Sequence, residues 1–253
     1  IRAIRALGAL ADHRAVHLLK RLAASRIPAI QEAALDALAQ IGCACWQRCG
    51  ALAVLRELRV APDVGLIVEQ LDDDSENVRL RSVQVLSRGG NPEAVPALIQ
   101  TAAIDGNAGI RYEALRAADE LAPADPTVVE AALKALDDPS PRVQAEAARI
   151  IGRSPVDKNL MPLVECLKSS SWEVRRNASL ALGNMGAKAL PSLLKRLEEG
   201  DETEVESAIR AIGNVGDPSA TSAIHETAAR FSKDSPVRYA AEKAIADLRE
   251  EKK

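Results

Sequence analysis

Aromatic side chains are nearly missing: the 253 residues contain two Trp, two Tyr and one Phe. So few rings argue against a large cofactor cleft walled by aromatics. Histidine is as scarce, at three residues, which leaves little material for acid–base or metal chemistry. No apolar run approaches the ~20 residues needed to cross a bilayer as a helix. The four cysteines do not form a spaced disulfide framework, so a reducing, cytoplasmic location is expected. Charge of one sign is also lacking. A net charge of −3 and a pI near 5.8 exclude a surface covered in nucleic-acid-binding charge, while leaving room for a local basic stripe. No glycine-rich phosphate loop and no nucleophile–base–orienter pattern is visible.

What the chain has instead is self-similarity. Ser140-Pro141-Arg142-Val143, Ala147 and Ile151-Gly152 return about 31 residues later as Ser171-Trp172-Glu173-Val174, Ala178 and Leu182-Gly183. The pattern recurs around Val205 to Ile212-Gly213 and around Ser235, Val237, Ala241 and Ile245, with weaker copies at Ile30, Val78 and Ile110. A period in this range marks stacked units, each burying its apolar face against its neighbours.

Each unit reads as two helices. The first opens after Asp12-His13, Asn91-Pro92 or Asp217-Pro218, with Pro96, Pro162 and Pro191 near its start, where a missing N–H costs least. Ser75, Ser140, Ser171 and Ser235 precede the second helix as candidate N-caps. Glycines such as Gly152, Gly183, Gly186, Gly213 and Gly216 stand near its end. Val174, Ala178, Ala181, Leu182 and Met185 fall on one helical face, the expected buried side. No useful strand-type alternation is found, so the fold class is all-α. A partial unit at 1–11 is followed by units at about 12–42, 43–90, 91–122, 123–154, 155–186, 187–216 and 217–253, one array throughout. The 43–90 unit has about 16 surplus residues, placed in Cys43 to Val60, with an extra helix near 46–58. Opening at Ile1 in mid-pattern, the chain reads as a fragment of a longer array, with any signal peptide in the missing part.

The pattern Asn91-Pro92-Glu93-Ala94-Val95-Pro96-Ala97-Leu98-Ile99, a turn, then Val-Arg with Ala and Leu-Gly, resembles the HEAT repeat, in its short bacterial and archaeal form named after phycobilisome lyases. The resemblance implies a right-handed α-solenoid whose second helices line the inner, concave side. It says little about activity, because the family includes scaffolds, adaptors, bilin lyases, hydroxylases and HEAT-like DNA glycosylases.

Candidate chemistry is thin. Cys43, Cys45 and Cys49 cluster, but a thiolate metal site wants a fourth donor. Cys166 lies three units away, and no His is near in sequence. They read as small buried hydrophobes, with a reactive pair or a metal site as alternatives. His13 and His17 align with turn and helix-start residues of other units. His225-Glu226 is a single His-Glu pair, where the family's iron-binding hydroxylases carry several. No metal and no cofactor is expected.

The surface pattern is richer. About six residues past the anchor Val or Ile of successive second helices stand Arg5, Asp36, Gln84, Arg116, Arg149, Leu180, Arg210 and Lys243. Near them, two past the anchor, stand Tyr112, Arg176 and Tyr239, residue types enriched at binding hot spots. The stripe Arg116, Arg149, Arg176, Arg210 and Lys243, flanked by Tyr112 and Tyr239, is the candidate partner-binding surface. The competing reading is of solvated positions answered by Glu113, Glu146 and Glu242. A second series, Arg79, Arg111, Arg175 and Arg238, directly follows the anchor and is expected to pair with turn aspartates. These features point to a non-enzymatic scaffold or adaptor taking an acidic protein or peptide, with neither a membrane nor a small-molecule substrate implied. A bilin lyase-like enzyme and a nucleic-acid-binding HEAT-like protein are the alternatives.

Overall fold

The computed structural model describes residues 1–4, 16–23, 27, 29–30, 33–34, 37 and 64–250. The surplus stretch with Cys43, Cys45 and Cys49, its expected helix near 46–58, and His13 lie outside the described residues. Among the described residues every regular element is helical. Internal packing divides the chain into two compact units, Ile1–Pro123 and Ala124–Lys253.

The first unit contains α1 (Val16–Ala23), α2 (Val64–Glu69), α3 (Glu76–Gly89), α4 (Val95–Ile104) and α5 (Ala108–Leu121). Here α2 packs on α3, α4 packs on α5, and the second helices α3 and α5 lie together. The second unit holds α6 (Pro126–Ala135), α7 (Pro141–Ile151), α8 (Leu160–Glu165), α9 (Trp172–Met185), α10 (Leu190–Glu199), α11 (Glu202–Val215), α12 (Thr221–Ala229) and α13 (Pro236–Glu250). Four helix pairs stack so that α7, α9, α11 and α13 pack in series, each against its own first helix. This is all-α solenoid architecture. Its core is aliphatic: Ile150, Ile151, Leu163, Leu167, Leu182, Leu193, Leu197 and Ile209 are fully buried. Burying each such side chain contributes about 1.5–3 kcal/mol.

Local chemistry explains where helices begin. Asn91 accepts the Glu93 N–H at 2.9 Å and Asp217 accepts that of Ser219 at 2.9 Å, each opening a short 3-10 turn before the first helix. The backbone and side-chain bonds from Ser219 hold the Asp217 carboxyl below the usual carboxylate range. Of the four serines expected to cap second helices, Ser235 does so, its Oγ accepting the Val237 N–H at 3.1 Å, and the other three depart from expectation. Ser75, Ser140 and Ser171 occupy the N-cap position, yet none makes a side-chain cap bond. Instead their own N–H groups donate to the residue two before: Asp73 at 2.9 Å, Asp138 at 2.8 Å and Ser169 at 3.2 Å. Only α11 opens with a full capping box among these four, between Asp201 and Glu204.

The glycines divide into two kinds. Gly90, Gly186 and Gly216 have positive φ and end their helices. Gly183 and Gly213 instead lie inside α9 and α11, and Gly152 follows α7 directly. A Cβ on Gly152 would stand 2.6 Å from the Ala181 Cβ, and one on Gly183 would stand 2.6 Å from the Asn214 Cβ. These residues are notches that let neighbouring second helices approach. Polar ties reinforce the close contact. Asn177 Nδ2 donates to the Ala145 carbonyl at 2.7 Å, Asn184 Nδ2 to that of Gly152 at 3.1 Å, and Ser179 Oγ to that of Ser207 at 3.1 Å.

Candidate functional site

Two sets of arginines emerge from the second helices, and they do different things. The set directly after the anchor is turned back toward the turn before its helix. Arg79 Nη1 donates to the Asp73 carbonyl at 2.8 Å, Arg111 Nη1 to that of Asp105 at 2.9 Å, and Arg175 Nη1 to that of Ser169 at 2.8 Å. Gln144 Nε2 does the same to the Asp138 carbonyl at 2.7 Å, and Arg238 Nε reaches the Phe231 carbonyl at 3.3 Å. Carbonyls left open at the end of a first helix are satisfied in this way. The expected aspartate pairing is made by Arg79, whose Nε lies 2.7 Å from Asp105 Oδ2. That hydrogen bond, opposed by desolvation and aided by the Asp105 charge, holds the guanidinium above its ordinary pKa. This series is a structural ladder, anchored mainly on backbone.

The candidate binding stripe points outward, and its members are not equivalent. In the first unit Arg116 is gripped by Glu113 and Glu120, each at 2.6 Å. In the second unit Arg149 meets Glu146 at 2.6 Å and Arg210 meets Glu206 at 2.8 Å. All four carboxylates sit one turn away on the same helix, the spacing that favours such pairs. Arg176 and Lys243 are exposed, and neither makes an ion pair or side-chain hydrogen bond among the described residues. The expected stripe of five available cations therefore narrows to these two. Arg210 stands five residues after Val205, yet it keeps register with Arg149 and Leu180 when counted from the packing glycines Gly152, Gly183 and Gly213. Tyr112 is half-buried, while Tyr239 is 66% exposed.

A groove of about 510 Å³ runs over α9, α11 and α13. Its floor is small: Ser179, Ser207, Gly213, Ala240 and Ala244. Its walls include Trp172, Arg176 and Leu180 from α9, Glu206 and Arg210 from α11, and Lys243 and Asp247 from α13. Spacing of four residues brings the α9 trio and each of the two pairs to one helix face. Trp172 is 61% exposed and Leu180 46%, a concentration of open apolar surface beside open charge. Sequence reasoning did not nominate Trp172 or Leu180. The available signal was that Trp172 stands one turn before Arg176 and Leu180 one turn after it.

Other reactive groups lie apart from this groove. His225 is exposed on α12, and Glu226 beside it accepts a hydrogen bond from Ser222 Oγ at 3.1 Å. Among the described residues no three His, Cys, Asp or Glu side chains group as metal ligands. Cys166 is partly buried, and burial, with smaller contributions from the Asp137 and Glu165 charges, pushes its thiol up to about 11. Its alkylation at pH 8, followed by mass spectrometry at that residue, should be about 100-fold slower than for a thiol of ordinary pKa, since the thiolate is the nucleophile. The sign for stability follows. The fold favours the neutral thiol, so this contribution is complete below the unfolded pKa and is lost as pH rises toward the folded value of about 11. Fast alkylation of Cys166 at pH 8 would contradict that burial.

Comparison with known proteins places the architecture. A sequence model of HEAT repeats matches residues 64–134 and 129–209, and one of the PBS lyase HEAT-like repeat matches residues 1–25. Phycocyanobilin lyase subunit alpha of Synechococcus elongatus is 31% identical over 132 residues, covering 46% of this chain and 47% of that protein. The chain thus spans about half the length of the curated relative it matches. Among solved structures, an engineered protein superposes with a TM-score of 0.48 at 21% identity, over 98% of this chain and 84% of its own. Human deoxyhypusine hydroxylase in complex with glycerol superposes with a TM-score of 0.40 at 19% identity, over 98% of this chain and 96% of its own. The helix pairs, the periodic glycine notches and a repeat model matching more than half of the residues have one meaning: the chain belongs to the HEAT-repeat family.

Proposed function

We propose that this protein is a non-enzymatic adaptor whose second helices receive an acidic segment of another protein. The groove over α9, α11 and α13 is its principal site. One observation carries the reading: Arg176 and Lys243 are exposed beside Trp172, outside the ion pairs that occupy Arg116, Arg149 and Arg210. Cations left in water beside open apolar surface cost the fold nothing and are available to a partner's carboxylates. Affinity capture tests it. Arg176→Glu with Lys243→Glu should remove the partner in a salt-sensitive way and leave the melting temperature almost unchanged. Lys195→Glu, on the first-helix side, should keep it. Loss of the partner with both variants, or with neither, defeats the proposal.

A second reading is bilin handling, favoured by the 31% identity to phycocyanobilin lyase subunit alpha and by a groove of about 510 Å³ edged by Trp172. Titration with phycocyanobilin would then shift the pigment's absorbance and quench tryptophan emission, and Trp172→Ala would abolish the quenching. An unchanged pigment spectrum at stoichiometric protein removes this reading.

A further inference from the structure

Three of the chain's five aromatic residues stand one helical turn before a cation on a second helix: Tyr112 before Arg116, Trp172 before Arg176 and Tyr239 before Lys243. In a chain this poor in rings, that placement is a pattern rather than background. Arg116 is held by two carboxylates of its own helix. The other two pairs are open, with Trp172 and Tyr239 each more than half exposed. They occupy α9 and α13, and between them α11 presents a closed pair, since Arg210 Nε and Nη2 both donate to Glu206 Oε1, at 3.1 and 2.8 Å. The groove therefore has Arg176 with Trp172 at one end and Lys243 at the other, where Asp247 shares the wall and Tyr239 stands exposed just outside it, with a neutralised pair between them.

We infer that the groove is a bipartite site for a peptide carrying two acidic residues, each next to an apolar residue, set a fixed distance apart. This rests on the adaptor reading above and specifies its partner. At one end a carboxylate meets Arg176 while its apolar neighbour covers Trp172 and Leu180. At the other a carboxylate meets Lys243 beside Tyr239. The separation follows from packing. Two steps between adjacent helices at about 8–10 Å each put the axes of α9 and α13 about 16–20 Å apart. An extended chain advances about 3.3 Å per residue, so the acids belong about five or six residues apart. An acid placed midway would face Glu206 and gain little. The partner crosses the helices in an extended form, and spacing is read along with charge.

The test uses labelled peptides in a neutral glycine–serine background, each bearing two Leu-Asp pairs from about two to ten residues apart, with binding followed by fluorescence anisotropy. Affinity should peak at a spacing of about five or six residues, about tenfold above that of a peptide with one pair. Arg176→Gln or Lys243→Gln should bring the best peptide down to the one-pair level, and Arg210→Gln should not. Trp172→Ala and Tyr239→Ala should weaken the same peptide without changing its salt dependence. Helical circular dichroism identical to the parent protein keeps each comparison fair. Affinity that follows total acid regardless of spacing overturns the inference and leaves the adaptor reading standing. Failure of every acidic peptide to bind overturns both. A single-stranded oligonucleotide of equal charge binding as tightly as the best peptide also overturns it, in favour of a general anion surface.

Discussion

Gly183→Val is expected to destabilise the second unit by about 3 kcal/mol, the upper part of the range for overpacking a tight interior. A Cβ at this position would stand 2.6 Å from the Asn214 Cβ and 3.1 Å from its backbone carbonyl carbon and oxygen, so the obstacle is partly main chain and cannot rotate aside. The helices α9 and α11 must separate, which also stretches the bond from Ser179 Oγ to the Ser207 carbonyl. Gly183→Ala should cost less, because about 1 kcal/mol of helix propensity offsets the crowding. Gly213→Ala is the control. Its nearest neighbours, the Ala244 Cβ and Cα at 3.1 and 3.3 Å, need give only slightly, and the change should be close to neutral. For a domain of this size 3 kcal/mol corresponds to a fall of about 6–12 °C in melting temperature. Stacked repeats need not unfold in one step, so amide exchange in α9 and α11 is the sharper readout. Equal stability of Gly183→Val and Gly213→Ala would refute the notch.

The notch itself marks the limit of what periodicity reveals. Val174, Ala178, Ala181, Leu182 and Met185 were legible as one buried face and all are buried, because a 3.6-residue period reports burial directly. A glycine carries two possible meanings in the same letter. Gly186 and Gly216 supply positive φ at a helix end, whereas Gly183 and Gly213, three residues earlier, supply closeness inside one. Only the position of the facing helix separates them. Three of the four serine caps failed for a related reason. Ser140 is in the right place, but Asp138, two residues before, already forms the turn that positions it.

The fate of the cations was half legible. Glu146 stands three residues before Arg149 and Glu206 four before Arg210, and acid preceding base is the favourable order along a helix. Lys243 has its acid after it, at Asp247, in the weaker order, and the pair does not close within ion-pair distance among the described contacts. Glu173, three before Arg176, lies instead against the Ser171 hydroxyl at 3.3 Å. Local spacing thus marked Arg149 and Arg210 as occupied, but it did not set Arg176 apart, because Glu173 offers it the same spacing as Glu146 offers Arg149. That the two remaining cations border a common groove depends on three helices packing side by side, which no single segment encodes.

Arg79→Ala should be the most damaging single change among the arginines, costing about 3 kcal/mol. The Asp105 side chain is 3% exposed and that of Arg79 16%, so the pair is shielded from the water that weakens surface bridges. Arg79 reaches Asp105 Oδ2 through Nε at 2.7 Å and Oδ1 through Nη2 at 3.2 Å, while Nη1 donates to the Asp73 carbonyl at 2.8 Å. Removing the guanidinium leaves a buried carboxylate and an open carbonyl together, and breaking such a pair from one side typically costs about 3–5 kcal/mol. The lower end is expected because Asp105 Oδ1 keeps the Asn107 N–H at 2.8 Å. Arg79→Lys should rescue only part of the loss, since an ammonium cannot fork across two oxygens and a carbonyl. The contrast is Arg116→Ala. It also removes an arginine bonded to carboxylates, yet its side chain is 39% exposed, and exposed pairs contribute about 0–1 kcal/mol each. Urea unfolding of the two variants measures the difference. A loss at Arg79 no greater than at Arg116 would mean that the anchor-following arginines do not hold the turns, and they would then join Arg176 and Lys243 as candidates for reading a partner.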